Sequence, residues 1–390
     1  MLPRSIMAAI VAALAPLAAG LVHAEDTVKI GLSIPMTGAG FNAVGRQINA
    51  AVRLYMAQHG DTVAGKKIEL IIRDDGGVAD NARRIVQDMI VNDHVAVVGA
   101  GITPTALAIA PLVTQAKVAT VVMVSGASIT VERSPYMVRT GFVLGQSSGI
   151  MGQWAAQNGA KRVVTMVNDW APGLEAETAF KNSFLKGGGQ ILESIHIPLA
   201  NPDFAPFLQR IRDIGPDTAF IYFPGTQAGI FAKQFAERGL AQSGIRIIGP
   251  GDLTDDDELN TLGDQMLGMI TAGQYSALHD SALNKAYVAA FEQANHFRPN
   301  FVSLGGYDGM HAIYAALEKT GGATDGDALI AAMKGMRWES PRGMISIDPD
   351  TRDIVQNIYL RKVEKVNGEL YNVEFQTYEA VKDPLKATKK

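Results

Sequence analysis

Apolar positions along the chain fall into two alternating rhythms. Short, nearly continuous apolar runs at 28–34 (VKIGLSI), 68–73 (IELIIR), 95–98 and 119–124 (ATVVMV) predict strands buried on both faces. Between them lie segments with three- and four-residue apolar spacing. Residues 44–59 end at Gly60, 79–92 carry Ala82, Ile85, Val86, Met89 and Ile90 on one face, and 104–115 open with a proline in the first turn. The alternation restarts at 147–158, a predicted helix. It continues with strands at 162–167, 191–197, 218–223 and 245–248, and helices at 175–186, 204–214 and 229–238. Helices dominate again at 281–296, 302–319 and 325–334, and beyond Met344 short strands are expected before a lysine-rich tail. Strands alternating with helices predict a doubly wound α/β fold, and two such series in one chain predict two lobes.

The first 24 residues break this pattern. Arg4 precedes an uncharged stretch from 6 to 22, and Val22 and Ala24 occupy the −3 and −1 positions of a cleavage point. The segment is expected to be a cleaved secretory signal peptide, with the mature chain beginning at Glu25. A membrane anchor is the alternative, but Pro16 and Gly20 interrupt a run already short for spanning. No arginine pair supports a twin-arginine route. An exported, unlipidated chain of this kind suits a Gram-negative periplasm.

Composition narrows the chemistry. The chain has 390 residues, 47% of them hydrophobic and none of them cysteine, which removes disulfides, thiolate metal sites and a cysteine nucleophile. Lys and Arg number 35 against 39 Asp and Glu, giving a net charge of −4 without the basic stripe that nucleic-acid binding needs. The histidines of the mature chain, at 59, 94, 196, 279, 296 and 311, show no paired ligand spacing. No metal or cofactor is expected.

Three motifs suggest enzymes. GAGFNA (38–43) fits the dinucleotide pattern, yet three residues separate it from the strand and no acidic residue follows about 20 positions on. A flexible loop opening the next helix is the favoured reading. GQSSG (145–149) fits the nucleophile-elbow pattern, with Asp252 and His279 or His311 following in hydrolase order. No clean strand runs into Ser147, so a helix start with a capping hydroxyl is favoured, and a periplasmic serine hydrolase stays as the alternative. Asp255, Asp256, Asp257 and Glu258 lack the spacing of a calcium loop and are read as acids opening a helix.

A set of collinear motifs resembles the branched-chain amino-acid type of periplasmic solute-binding protein of ABC transporters. VKIGLSIPMTG (28–38) is similar to the family opening, and Arg73-Asp74-Asp75 precedes a helix carrying Ala82 and Val86. Val98-Gly99 precedes ALAIAP (106–111), and SPYMVR spans 134–139. DWAPG (169–173), the Asp203-Phe204 pair, Tyr307-Asp308 as a helix start and SPRG (340–343) follow in family order. The resemblance implies a type I periplasmic-binding fold, with two Rossmann-like lobes of parallel sheet joined by three crossings near 142–145, 272–275 and 350–354. Residues 25–142 with 275–351 would form the N-terminal lobe, and 143–274 with 352–390 the C-terminal lobe.

Ligands of doubly wound sheets sit beyond the carboxyl ends of the strands. The loops at 36–44, 100–105, 125–130, 168–173, 223–227 and 250–254 are therefore expected to line the cleft. By resemblance, hydroxyls and amides of Thr103, Thr105, Ser125, Ala127 and Ser128 would hold a ligand carboxylate. Phe41 and Trp170 would clamp an apolar body, Gly225 would line the cleft, and Tyr275 would close its edge. The family's acid for an α-ammonium is displaced by one position to Asp252, and its Y-G aromatic is replaced by Pro172. These departures favour an aromatic acid over a branched-chain amino acid. The expected protein is a monomeric periplasmic binding component of an ABC importer, not an enzyme, docking on a membrane permease.

Overall fold

A computed structural model describes residues 27–38, 40–198, 203–223 and 225–386. The expected signal peptide and the Pro202 position of the Asp203-Phe204 motif lie outside them. The first sheet comprises β1 (Thr27–Ile34), β2 (Thr62–Val63), β3 (Lys66–Asp74), β4 (Val97–Ala100), β5 (Ala119–Val122) and β6 (Met137–Arg139). Its strand order is β2-β3-β1-β4-β5-β6, parallel except for the β2–β3 hairpin. The buried run from Ile30 to Ile34 in β1 follows from its central place, with helices on both faces.

The second sheet is built from β7 (Arg162–Asn168), β8 (Gln190–Ile197), β9 (Thr218–Tyr222), β10 (Arg246–Pro250) and β11 (Ile270–Gly273). It continues through β12 (Arg337–Ser340), β13 (Gly343–Ile347), β14 (Ile354–Val366) and β15 (Glu369–Val381). The order is β12-β13-β14-β11-β10-β9-β7-β8, with β15 pairing β14. The core β8-β7-β9-β10-β11 is parallel, and β14 joins it antiparallel to β11.

Both sheets reverse winding direction once. From β1 the chain goes to β3 on one side and then to β4 on the other; from β7 it goes to β8 and then to β9. Each reversal leaves a crevice at the strand ends. In the first sheet the loops after β1 and β4 border it, carrying Phe41 and Thr103. In the second, the loops after β7 and β9 border it, carrying Trp170 and Gly225. The chain passes from the first sheet to the second after β6, returns through 274–281 to helices that pack on the first sheet, and rejoins the second sheet at β12. Helices Ala282–Asn295, Phe301–Lys319 and Gly326–Met333 return to the first sheet, where Phe301–Lys319 packs along Asn42–His59.

Several expectations change. The short strands foreseen after Met344 are in fact a long hairpin, β14–β15, turned by Asn367 and Gly368, both at positive φ. β15 is largely solvent-facing, so its polar composition hid its length. Tyr307 and Asp308 lie inside helix Phe301–Lys319, not at its start. There the buried Asp308 accepts hydrogen bonds from Trp338 Nε1 (3.0 Å) and Ser340 Oγ (2.9 Å) and pairs with Arg342 (2.9 Å). The acids at 255–258 precede a helix of only four residues, Leu259–Leu262, and are tied into the interior. Among the described residues no helix is long and apolar enough to cross a membrane, and no group of side chains is arranged to hold a metal ion.

Candidate functional site

Between the two sheets lies a cleft enclosing about 740 Å³ of atom-free space, open mouth included. That falls in the range of small-ligand pockets, roughly 300–1,000 Å³. Its walls come from the strand-end loops of both halves, and three parts can be distinguished.

The first part is an anchor for negative charge. Ile102 and Thr103 open helix Thr103–Ala116, whose first-turn amides have no intrahelical acceptor; Pro104 removes one of them. Thr103 Oγ1 lies 2.9 Å from Ser125 Oγ, which lies 2.8 Å from Thr130 Oγ1. Behind this hydroxyl chain sits the fully buried Arg139. It donates to the carbonyls of Ser125, Phe142 (3.2 Å) and Ala127 (2.7 Å) and pairs with Asp353 at 2.7 Å. By gripping the carbonyl side of the 125–127 loop, Arg139 fixes that loop beside the cleft and puts a positive charge behind the anchor.

The second part is an aromatic slot. Phe41 and Trp170 come from opposite halves, with ring centroids 6.2 Å apart and planes at 46°. Phe142 and Phe301 form a second pair, edge to face, at 5.0 Å. Val44, Val124, Val302 and Pro172 complete the apolar wall. Trp170 Nε1 is buried and has no hydrogen-bond partner, leaving a donor for an occupant of the cleft.

The third part is acidic. Asp252, Asp255, Asp257 and Glu258 line the cleft from the second half, beside Tyr222. Two of these four acids are engaged by partners. Asn300 Nδ2 donates to both oxygens of Asp255 (3.0 and 2.9 Å), and Arg46 pairs with Asp257 at 2.5 Å. Among the described residues Glu258 has no such partner, and no other residue donates a hydrogen bond to the Asp252 carboxyl either. Burial pushes that carboxyl up to about 7, against the pull of its own backbone amide and of Arg361. Arg361 supports the turn beneath it by donating to the carbonyls of Gly251 (3.2 Å) and Tyr275.

The structure brings Phe41, Thr103, Ser125, Trp170, Gly225 and Asp252 together around the cleft. It places the other four candidates outside the wall. Thr105 Oγ1 donates back to Ile102 O at 3.0 Å, satisfying its own helix start. The Ala127 carbonyl is taken by Arg139. Ser128 donates its amide to Glu175 at 2.6 Å and its hydroxyl to Asp383. Tyr275 is fully buried and donates to Asn284 at 3.0 Å. The serine-hydrolase constellation is not assembled either. The buried Ser147 donates to Leu144 O at 3.2 Å, while His279 is bonded to Glu374 and His311 contacts Tyr55.

Sequence reasoning missed Phe142, Asn300, Phe301 and the acids beyond Asp252 as lining residues. Asn300 carried a usable signal. It is a helix-capping residue, its Oδ1 accepting from Val302 and Ser303 amides at 3.0 and 3.1 Å. Its place on the cleft depends on helix packing, which the local pattern does not reveal.

The family model described as "Periplasmic binding protein" matches residues 27–368. A curated relative, the Leu/Ile/Val-binding protein homolog 6 of Brucella abortus (strain 2308), is 42% identical over 95% of this chain and 96% of its own length. The solved solute-binding protein of an ABC transporter from Rhodopseudomonas palustris BisB5, in complex with 3,4-dihydroxybenzoic acid, is 61% identical. It superposes with a TM-score of 0.90 over 92% of this chain and 99% of its own. A solute-binding protein from R. palustris HaA2, in complex with p-hydroxybenzoic acid, is 38% identical with a TM-score of 0.88, covering 92% and 98%.

Proposed function

The chain belongs to the periplasmic binding protein family, and on that premise we propose that it captures an aromatic carboxylate in the cleft and delivers it to the permease of an ABC importer. The observation that carries this reading is the pairing of an anion anchor with an aromatic slot. Thr103, Ser125 and the free helix amides take the carboxylate, with Arg139 behind them; Phe41 and Trp170 hold the ring from opposite lobes. The solved neighbours with aromatic acids bound support it.

Capture proceeds by closure. Residues of the two lobes already meet at Arg46 with Asp257, Glu175 with the Ser128 amide, and Phe41 with Trp170. The backbone also comes close there: a Cβ on Gly225 would lie 2.5 Å from Gly40 O. A ring in the slot adds contacts to both lobes and so favours the closed state. Micromolar affinity corresponds to about −8 kcal/mol, within reach of one anchored carboxylate and one buried ring. The chain acts by binding and release, without catalysis, in the periplasm after loss of residues 1–24, and as a monomer.

The named curated relatives support a second reading, a branched-chain amino acid held by the same anchor. A thermal-shift panel separates the two. Benzoate, 4-hydroxybenzoate and 3,4-dihydroxybenzoate should raise the melting temperature, and Trp170→Ala should abolish the rise. Ser147→Ala should retain it. A shift with leucine, isoleucine or valine alone would replace the aromatic reading by the second one.

A further inference from the structure

The cleft has a polar end that a plain aromatic acid leaves unanswered. The carboxylate anchor lies on the first lobe, at Thr103 and Ser125, and Asp252 lies on the second, in the same cleft. A half-buried acid in a largely apolar cleft, with no donor of its own, offers an acceptor to whatever fills the cleft. The neighbouring aspartates are answered within the protein. Asp255 is held by Asn300, Asp257 by Arg46, and Asp256 faces Arg361 at 3.8 Å. Asp252 alone among these aspartates is left for the occupant, with Arg361 fixing the backbone turn that presents it.

We propose that Asp252 determines specificity by accepting a hydrogen bond from a ring hydroxyl, so that the protein prefers hydroxylated aromatic acids to unsubstituted ones. This rests on the aromatic-acid reading of the same cleft and adds which ring substituent is recognised and by which residue. The geometry favours a hydroxyl over an α-ammonium. An α-ammonium sits one carbon from the carboxylate, whereas the anchor and the acid belong to opposite lobes of a cleft whose wall also carries Phe41, Trp170, Phe142 and Phe301. A hydroxyl at the meta or para position places its donor at the far side of the ring. Asp252 also resists full ionisation, which suits a neutral donor better than a cation. A protein that bound benzoate itself best would gain nothing from this acid.

Titration calorimetry with benzoate, 4-hydroxybenzoate, 3,4-dihydroxybenzoate and L-leucine tests the assignment in the wild type, Asp252→Asn and Asp252→Ala. The readout is the ratio of dissociation constants for benzoate and the hydroxylated acids, which cancels losses common to all ligands. In the wild type the ratio should be at least about tenfold in favour of hydroxylation. In Asp252→Ala it should collapse to within about threefold, with Asp252→Asn, which keeps an acceptor, in between. An unchanged ratio in Asp252→Ala, or no preference in the wild type, overturns the role of Asp252 while leaving aromatic-acid binding in place. Leucine binding without any aromatic acid binding would overturn both, and so is distinguishable from the first failure.

Discussion

At the scale of single residues, the site is made by side chains whose surroundings oppose their ordinary behaviour. Asp252 is the clearest case, its carboxyl raised to about 7 by burial. Because the folded value lies above the unfolded one, the native state holds a proton that the unfolded chain has lost between about pH 4 and 7. Stability therefore falls as pH rises through that window. Asp252→Asn removes the burden, so the unliganded protein should melt higher than wild type at pH 8, by roughly 1–3 kcal/mol of stability, and no higher at pH 4. Chemical denaturation at the two pH values checks this, and equal effects at both would refute the account of the site. Phe41, Thr103, Ser125, Trp170, Gly225 and Asp252 were readable as cleft residues because strand-end loops of a doubly wound sheet must face the crevice. Thr105, Ala127, Ser128 and Tyr275 fall outside for a common reason. Their polar groups are used by nearby partners, namely Ile102, Arg139, Glu175 with Asp383, and Asn284. Such pairings span up to hundreds of positions and leave no local trace.

Elements set where those residues stand. Helix Phe301–Lys319 brings Asn300, Phe301 and Val302 to the cleft because Gly305 lets it touch the end of the first sheet. A Cβ on Gly305 would lie 2.0 Å from Met123 O and 3.3 Å from the Gly141 Cα. Neither neighbour can yield, since both are backbone. Gly305→Ala should push the helix start away from the slot, costing roughly 1–3 kcal/mol of stability and weakening ligand binding at least severalfold. Denaturant unfolding and titration of the same preparation measure both; wild-type values would contradict this packing account. The helices and parallel strands were legible because apolar periodicity is strong where both faces are covered. The exceptions are instructive. β6 and β11 are only three and four residues long, and β15 is an exposed edge strand, so none offers a pattern distinguishable from a loop.

On the scale of the whole molecule, two sheets with one winding reversal each oppose their crevices across three connections. The cleft is a consequence of that topology, and the two strand series announced it. What the pattern could not supply is the contact between lobes. Arg46 and Asp257, or Ser128 and Glu175, meet only through the packing of the two halves. The acids at 255–258 show the limit well: read locally they open a helix, while in the folded molecule Asp255 and Asp257 line the cleft and bind Asn300 and Arg46 of the other lobe.

The central claim is that an aromatic acid is held between the lobes by its carboxylate at one end and its ring in the middle. The most direct measurement is a crystal structure of the chain with 4-hydroxybenzoate. The predicted result is one ligand in the cleft, its carboxylate within hydrogen-bond distance of Thr103 and Ser125 and its ring packed against Phe41 and Trp170. An empty cleft at saturating ligand, or a carboxylate bound away from Thr103 and Ser125, would contradict it.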